Sequence, residues 1–457
     1  MRGAIIHSTI VTMNPKREIL KNAGILWDNG IIVLLGNSED ILEKAKNLKT
    51  DVIDAGGAFV FPGLINTHNH LFQHLLKGYG ADMNLENWWP SIIGPAGSNL
   101  RECHLRAAVR GGALEALRCG TTTIVDYMQV HPVKDLSSAE IEAAAEIGIR
   151  LIYGRGFRNY SRGGAFPQKL NEDLNQVFDE VKYLYEHYET SADGLTRIFL
   201  APAAAWAVTF DGLKDTADFS RQERIPVTMH TFETETDKKV CEEKYGMRAI
   251  DYYEKAGILS PGFLAVHCVN MDDDDIKAYQ EHDVKISHNP VSNMYLASGV
   301  SPVTKFMKQG MTVSLATDGA ASNNSNNMLE VLKSAALIHK VYNRDPQALT
   351  ARQVLEMATI NGARAIGMEN VIGSLEEGKQ ADMFIFDPFK SPTCCPTSDP
   401  ISTLVYSCDS RGVITTIVKG KILLKDDHFA ALDEEKILRE EQEQSHDLAK
   451  KSDIVSK

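Results

Sequence analysis

The chain has 457 residues, with 48 Lys and Arg against 61 Asp and Glu for a net charge of −13, and is 43% hydrophobic and 24% charged. This is the composition of a globular protein with room for an α/β barrel of about 250 residues, and no apolar run approaches the ~20 residues of a bilayer span. The acidic balance, with no basic patch interleaved with aromatics, speaks against nucleic acid as a partner.

The first ten residues, Met1 to Ile10, hold one basic residue and neither a long apolar stretch nor a small-residue cleavage site, which predicts a cytoplasmic protein with no membrane partner. From Ala4 to about Val52 short apolar runs alternate with turns. Gly24 to Trp27 and Ile31 to Leu35 flank Asp28-Asn29-Gly30, and Asn-Gly between such runs predicts a hairpin. The rhythm then changes to short apolar strands, each followed by a longer helical stretch. Eight strands are expected to end near Asn66, Asp126, Gly154, Pro202, His230, His267, His288 and Asp318, with helices that include Leu105 to Cys119 and Asn327 to His339. Repeated βα units of this number predict a closed (β/α)8, TIM-like barrel over residues 60–370. Ala381 to Asp387 and Val413 to Lys421 read as strands again, so residues 1–59 and 371–430 are expected to share a small β-sandwich domain, giving an α/β protein. Residues 431–457 read as a charged helix or tail, most simply a solvated face. The seven cysteines form no Cys-x-x-Cys pair, which disfavours disulfides and cysteine zinc sites, and Cys394-Cys395 before Pro396 reads as a loop.

In such barrels the reactive residues gather at the C-terminal ends of the strands. The first strand ends in His68-Asn69-His70, and residues i and i+2 of an extended chain point the same way, so both imidazoles aim at one point. His230 ends another strand with Glu233 three residues on, adding a third nitrogen and an acid/base. His267, His288 and Asp318 close the following strands. One strand-end histidine is ordinarily a core or loop residue, but five such ends on successive strands are not independent accidents. Three imidazoles and one carboxylate leave an open position on a divalent metal, which suits catalytic zinc and is acceptable to ferrous iron. A metal so held lowers the pKa of water towards about 7, which makes the expected chemistry hydrolytic.

This ordered set resembles the amidohydrolase superfamily, and within it the metal-dependent aminohydrolases of nitrogen heterocycles, over almost the whole chain. The most specific segments are Pro62 to His70, His230 to Thr234, Ser287 to Asn293 and Thr317 to Asn324. That branch includes adenosylhomocysteine and methylthioadenosine deaminases, guanine and 8-oxoguanine deaminases and chlorotriazine hydrolases. The resemblance implies that His68, His70, His230 and Asp318 bind one metal, that Glu233 shuttles protons, and that His267 orients the nucleophile or the reacting group. Many superfamily members bridge two metals through a carboxylated lysine at strand four. The segment Arg197 to Trp206 contains no lysine, which favours a single ion, Zn2+ before Fe2+. Deamination needs a nucleophile, a proton for the ring nitrogen and a proton for departing ammonia. Glu233 is expected to serve the ring nitrogen and Asp318 to accept the remaining proton and return it to the amine.

Gln73, three residues past His70, can both donate and accept at the edge of a lactam-amidine ring. The resemblance adds that guanine deaminases and chlorotriazine enzymes carry glutamine at this spacing. Trp89, in Asn87-Trp88-Trp89-Pro90, and Trp206 offer aromatic surface for a flat ring, and His288 joins the expected substrate contacts. The leading expectation is therefore a deaminase of a small amino-oxo heterocycle: a guanine-like purine, an isocytosine-like pyrimidine or a pterin. Adenosylhomocysteine or methylthioadenosine deamination is the alternative, supported by Ser287 to Asn293 and Thr317 to Asn324. Triazine chloro- or amino-hydrolysis follows, and then a non-catalytic scaffold, which would show broken ligand sets. The superfamily habit implies a homodimer or larger.

Overall fold

The computed structural model describes residues 1–161, 167–189 and 194–454, so residues 455–457 of the expected tail lie outside the described residues. Its centre is an eight-stranded parallel sheet built in chain order from Leu64–Asn69, Thr121–Met128, Arg150–Phe157, Thr196–Pro202, Val227–Thr231, Phe263–His267, Lys285–His288 and Val313–Leu315. All residues of the first three strands are buried, as expected of strands covered on both faces by the connecting helices. All eight expected strand ends fall within three residues of the observed ones. The eighth strand stops at Leu315, and Asp318 stands just beyond it. Last and first strands meet through Asp318 N donating to His68 O at 3.1 Å and Thr67 Oγ1 donating to Leu315 O at 3.0 Å. The barrel is thus all but closed at the level of the histidines.

The two ends of the chain form a separate mixed sheet of nine strands. Strands Ile19–Asp28 and Ile31–Asn37 make the expected hairpin, with Asn29 and Gly30 at φ +50° and +78°, the paired left-handed conformation that the right-handed strand twist selects. Phe59–Pro62 joins the ends: it runs parallel to Gly3–Val11 and antiparallel to Met383–Phe386, pairing Phe61 with Phe384. The small β unit expected from both ends is present, with eight of its strands in one hydrogen-bonded order and Val52–Asp54 paired to Gly3–Val11 off that path. Arg150, on the third barrel strand, reaches Asp382 at 3.0 Å with both side chains buried, and also bonds Gln380 at 2.6 Å. That pair ties the barrel to the sheet.

The charged C-terminal segment departs from its expected role. Glu434–Lys451 is a helix, as expected, but it buries Ile437, Leu448 and Ala449 and lies on the Glu102–Arg118 helix. Arg118 pairs with Glu434, and His104 Nε2 meets Asp447 Oδ2 at 2.7 Å. Glu434, Glu440, Glu441 and Asp447 meet partners on the barrel, so one face is docked where sequence pattern alone reads solvent. Among the described residues no helix is long and apolar enough to cross a membrane. All seven cysteines are free thiols.

Candidate metal centre

The first barrel strand delivers His68 and His70 to the mouth together, as alternation requires. His70 Nδ1 donates to Tyr127 O at 2.6 Å, and His230 Nδ1 donates to Ala203 O at 2.9 Å. Each bond places the ring proton on Nδ1 and turns Nε2 inward, the usual outer-shell device for a metal-ligating histidine. The two Nε2 atoms then face each other at 3.3 Å. Two lone pairs at that separation repel unless a cation lies between them. His68 is fully buried with neither ring nitrogen hydrogen-bonded, and its Nε2 is 3.4 Å from Asp318 Oδ1, which is 3.5 Å from His70 Nε2. Donor atoms of His68, His70 and Asp318, and separately of His68, His230 and His267, lie within 4.8 Å of one another. The donor set fits a divalent metal.

The electrostatics agree. Burial pushes the His68, His70 and His230 imidazoles below their ordinary value, His70 to about 3. Burial opposes the charge of Asp318, yet the adjacent His68 imidazole and the other imidazoles around it hold it well below the carboxylate range. Neutral imidazoles and an ionised carboxylate are the forms that bind metal. Ser292 Oγ donates to Asp318 Oδ2 at 2.5 Å and Gly319 N to Oδ1 at 2.7 Å, fixing the carboxylate from behind. Asp318 and His267 adopt φ of +64° and +71°, a region costly for residues with a Cβ. The chain turns sharply there, and both side chains enter the mouth.

Glu233 faces His267, with Oε2 3.6 Å from Nε2, and Ser298 Oγ reaches its Oε1 at 3.5 Å. Burial raises the Glu233 carboxyl above its ordinary range. His267 Nδ1 meets Asn293 Oδ1 at 2.9 Å, which leaves Nε2 toward Glu233. Gln73, Trp89, Trp206, Glu233, His267 and Asp318 all line one cavity, with a free volume of about 40 Å3. Gln73 is buried and its Oε1 has no hydrogen-bond partner. It lies so close to Gly319 that a Cβ there would sit 2.0 Å from Oε1, which explains the glycine after Asp318. Trp89 and Trp206 meet edge to face at 6.5 Å instead of leaving a slot between parallel rings, and Trp88 is buried against the same cavity. His288 is placed differently: its Nε2 meets His339 Nε2 at 3.0 Å, and it is not among the side chains that line the cavity. Sequence reasoning gave no role to Tyr127, whose ring packs 4.6 Å from His230 and 5.6 Å from His68, nor to Ser292 or Asn293. The last two lie inside the Ser287 to Asn293 segment, but their partners Asp318 and His267 come from other strands, so local pattern carries no signal of the contact.

The profile of the amidohydrolase family matches residues 59–423. The chain belongs to that family. This amidohydrolase is 35% identical to a 5'-deoxyadenosine deaminase of Methanosarcina acetivorans over 445 residues, covering 97% of this chain and 98% of that protein. It is 34% identical to a 5-methylthioadenosine/S-adenosylhomocysteine deaminase of Caldicellulosiruptor saccharolyticus over 433 residues, covering 95% of each. Among solved structures it is similar to an atrazine chlorohydrolase of Arthrobacter aurescens crystallised with zinc, with a TM-score of 0.91 and 25% identity over 97% of this chain and 100% of that one.

Proposed function

We propose that this amidohydrolase is a zinc-dependent deaminase of adenosine-derived nucleosides, of the 5'-deoxyadenosine, 5'-methylthioadenosine and S-adenosylhomocysteine class. The observation that carries the reaction type is the convergence of His68, His70, His230 and Asp318 beside Glu233 and His267. Full-length similarity to nucleoside deaminases supports the substrate class and favours it over the amino-oxo base expected first. The ligand set is whole, which speaks against a non-catalytic scaffold.

His68, His70, His230 and Asp318 would hold the metal, which supplies Lewis acidity and lowers the pKa of water towards about 7. Glu233 takes a proton from the attacking water and hands it to the adjacent ring nitrogen, so the ring never carries an uncompensated negative charge. His267 Nε2, aimed beside Glu233, orients the attacking oxygen. Asp318 accepts the second proton of that oxygen and returns it to the amine. The carbon–nitrogen bond breaks, ammonia leaves, and the adenine ring becomes the 6-oxo ring. Water is consumed one for one.

A second reading rests on Gln73. Its unpaired Oε1, buried in the cavity wall, can accept from the exocyclic amine of an adenine or of an amino-oxo base, and its amide N–H would in addition meet the carbonyl oxygen of the latter. Ammonia release by zinc-loaded protein from 5'-deoxyadenosine, 5'-methylthioadenosine, S-adenosylhomocysteine, guanine, isocytosine, a pterin and an aminotriazine separates the readings, with Glu233→Gln as blank. Variant-sensitive release from the nucleosides is the expected result. Release from a free base alone would replace it with the second reading, and release from none would refute both.

A further inference from the structure

The turn Leu71–Leu76 follows His70 directly and carries Gln73 into the cavity. The next residue, His74, lines a different hollow of about 770 Å3 between this turn, the Glu102–Arg118 helix and the C-terminal helix. His74 is buried, with Nε2 2.8 Å from Glu115 Oε2 and Nδ1 bonded to Glu441 of the C-terminal helix. One turn further along that helix, Ser445 Oγ donates to Leu75 O at 2.6 Å. Two bonds from the C-terminal helix therefore land on the residues immediately following Gln73.

The Glu102–Arg118 helix is shaped for this contact. It carries adjacent glycines at 111 and 112, each costing the helix about 1 kcal/mol against alanine. A Cβ at Gly111 would sit 2.2 Å from Glu441 Oε2, and one at Gly112 would sit 2.9 Å from Leu71 Cδ2 and 3.4 Å from His74 Cδ2. The paired glycines form a notch that admits the carboxylate on one side and the turn on the other. A departure from local helix preference with such a compensating contact marks a site built for it. The charged groups that face His74 are Glu115 from this helix, Glu441 from the C-terminal helix and Lys77 from its own turn.

We propose that the C-terminal helix is a strap that positions the Gln73 turn for substrate binding, with His74 and Glu441 as its latch. His74 and Glu441 are positioning residues: they act through Gln73, and neither lines the cavity that holds the metal ligands. The proposal rests on the deaminase reading for its kinetic consequence and on the fold alone for its structural one.

The test uses zinc-loaded full-length protein, 5'-deoxyadenosine as substrate, and hydrogen exchange of the peptide spanning residues 71–77 without substrate. Glu441→Ala and Gly111→Ala are expected to raise KM about tenfold while kcat and bound zinc stay within about threefold of wild type. Exchange across residues 71–77 should accelerate about tenfold or more in the same variants. Glu441→Gln keeps an acceptor for the imidazole N–H and should recover KM to within about threefold. Wild-type KM in Glu441→Ala overturns the proposal, whether or not exchange changes. So does a fall in kcat with loss of zinc, which would make the latch a support of the metal centre. Should the wild type release no ammonia from any substrate of the panel, the deaminase reading falls on its own. Unchanged exchange in Glu441→Ala would then overturn the strap, and accelerated exchange would uphold it.

Discussion

Water exclusion governs what the individual side chains can do: burial lifts the Glu233 carboxyl above its ordinary range, which favours the protonated form that hands a proton from oxygen to ring nitrogen. Replacing it with glutamine preserves shape and removes that capacity. Glu233→Gln is expected to lower kcat by about 10^2–10^4 with zinc content unchanged by metal analysis, and near wild-type turnover would sink the assignment. Gln73 works by a different route, since its buried amide can contribute only by pairing with a ring edge. Gln73→Leu should raise KM about tenfold with little change in kcat, and combining it with Glu441→Ala should add little further, because the two act on one contact. Without a cation the facing nitrogens of His70 and His230 are left in repulsion. Chelation is therefore expected to abolish turnover and lower the thermal midpoint together, and zinc to restore both.

Strands and helices differ in how plainly their roles are written in the chain. The barrel strands are short apolar runs that stop at a histidine or aspartate, so their ends, and with them His68, His70, His230, His267 and Asp318, can be located from pattern alone. The backs of those residues cannot. Tyr127, Ser292 and Asn293 look like ordinary strand or turn residues, and what gives them meaning is a neighbour far away in the chain. The partner of His288 is equally invisible in the local pattern, because His339 sits on the distant helix Met328–Asn343. The C-terminal helix is the largest such case: a run of alternating charges looks solvated until Arg118, His104 and His74 are placed opposite it. That docking has a pH signature. Burial works against the charge of His74, but its bonds to Glu115 and Glu441 outweigh burial and raise its pKa above 6.5, while burial of Glu115 is outweighed by His74 and Lys77, which hold it down at about 2. A group whose folded pKa is raised contributes fully below its unfolded value and loses its contribution as pH rises through the folded one. KM of the wild type should therefore rise with pH above about 6.5, and His74→Gln should remove that limb, which a pH series on the two proteins measures.

The whole molecule depends on joining its two sheets. Arg150 and Asp382 form a buried ion pair across that junction, and removing one partner strands a charge in a low-dielectric interior. Asp382→Ala is expected to cost about 3–5 kcal/mol in urea unfolding, and a loss below about 1 kcal/mol would show that the junction does not depend on this pair. Synthesis of the chain adds a last consequence of the split sheet. Phe59–Pro62 pairs on one side with the first strand and on the other with Met383–Phe386, so one flank of an early strand waits for a segment made more than three hundred residues later. At ~5–20 residues per second that wait is on the order of 15 to 65 s. During it the barrel can close while Phe59–Pro62 lacks its second neighbour, so a ribosome that stalls before residue 383 leaves a bare apolar flank for chaperones or proteases to find.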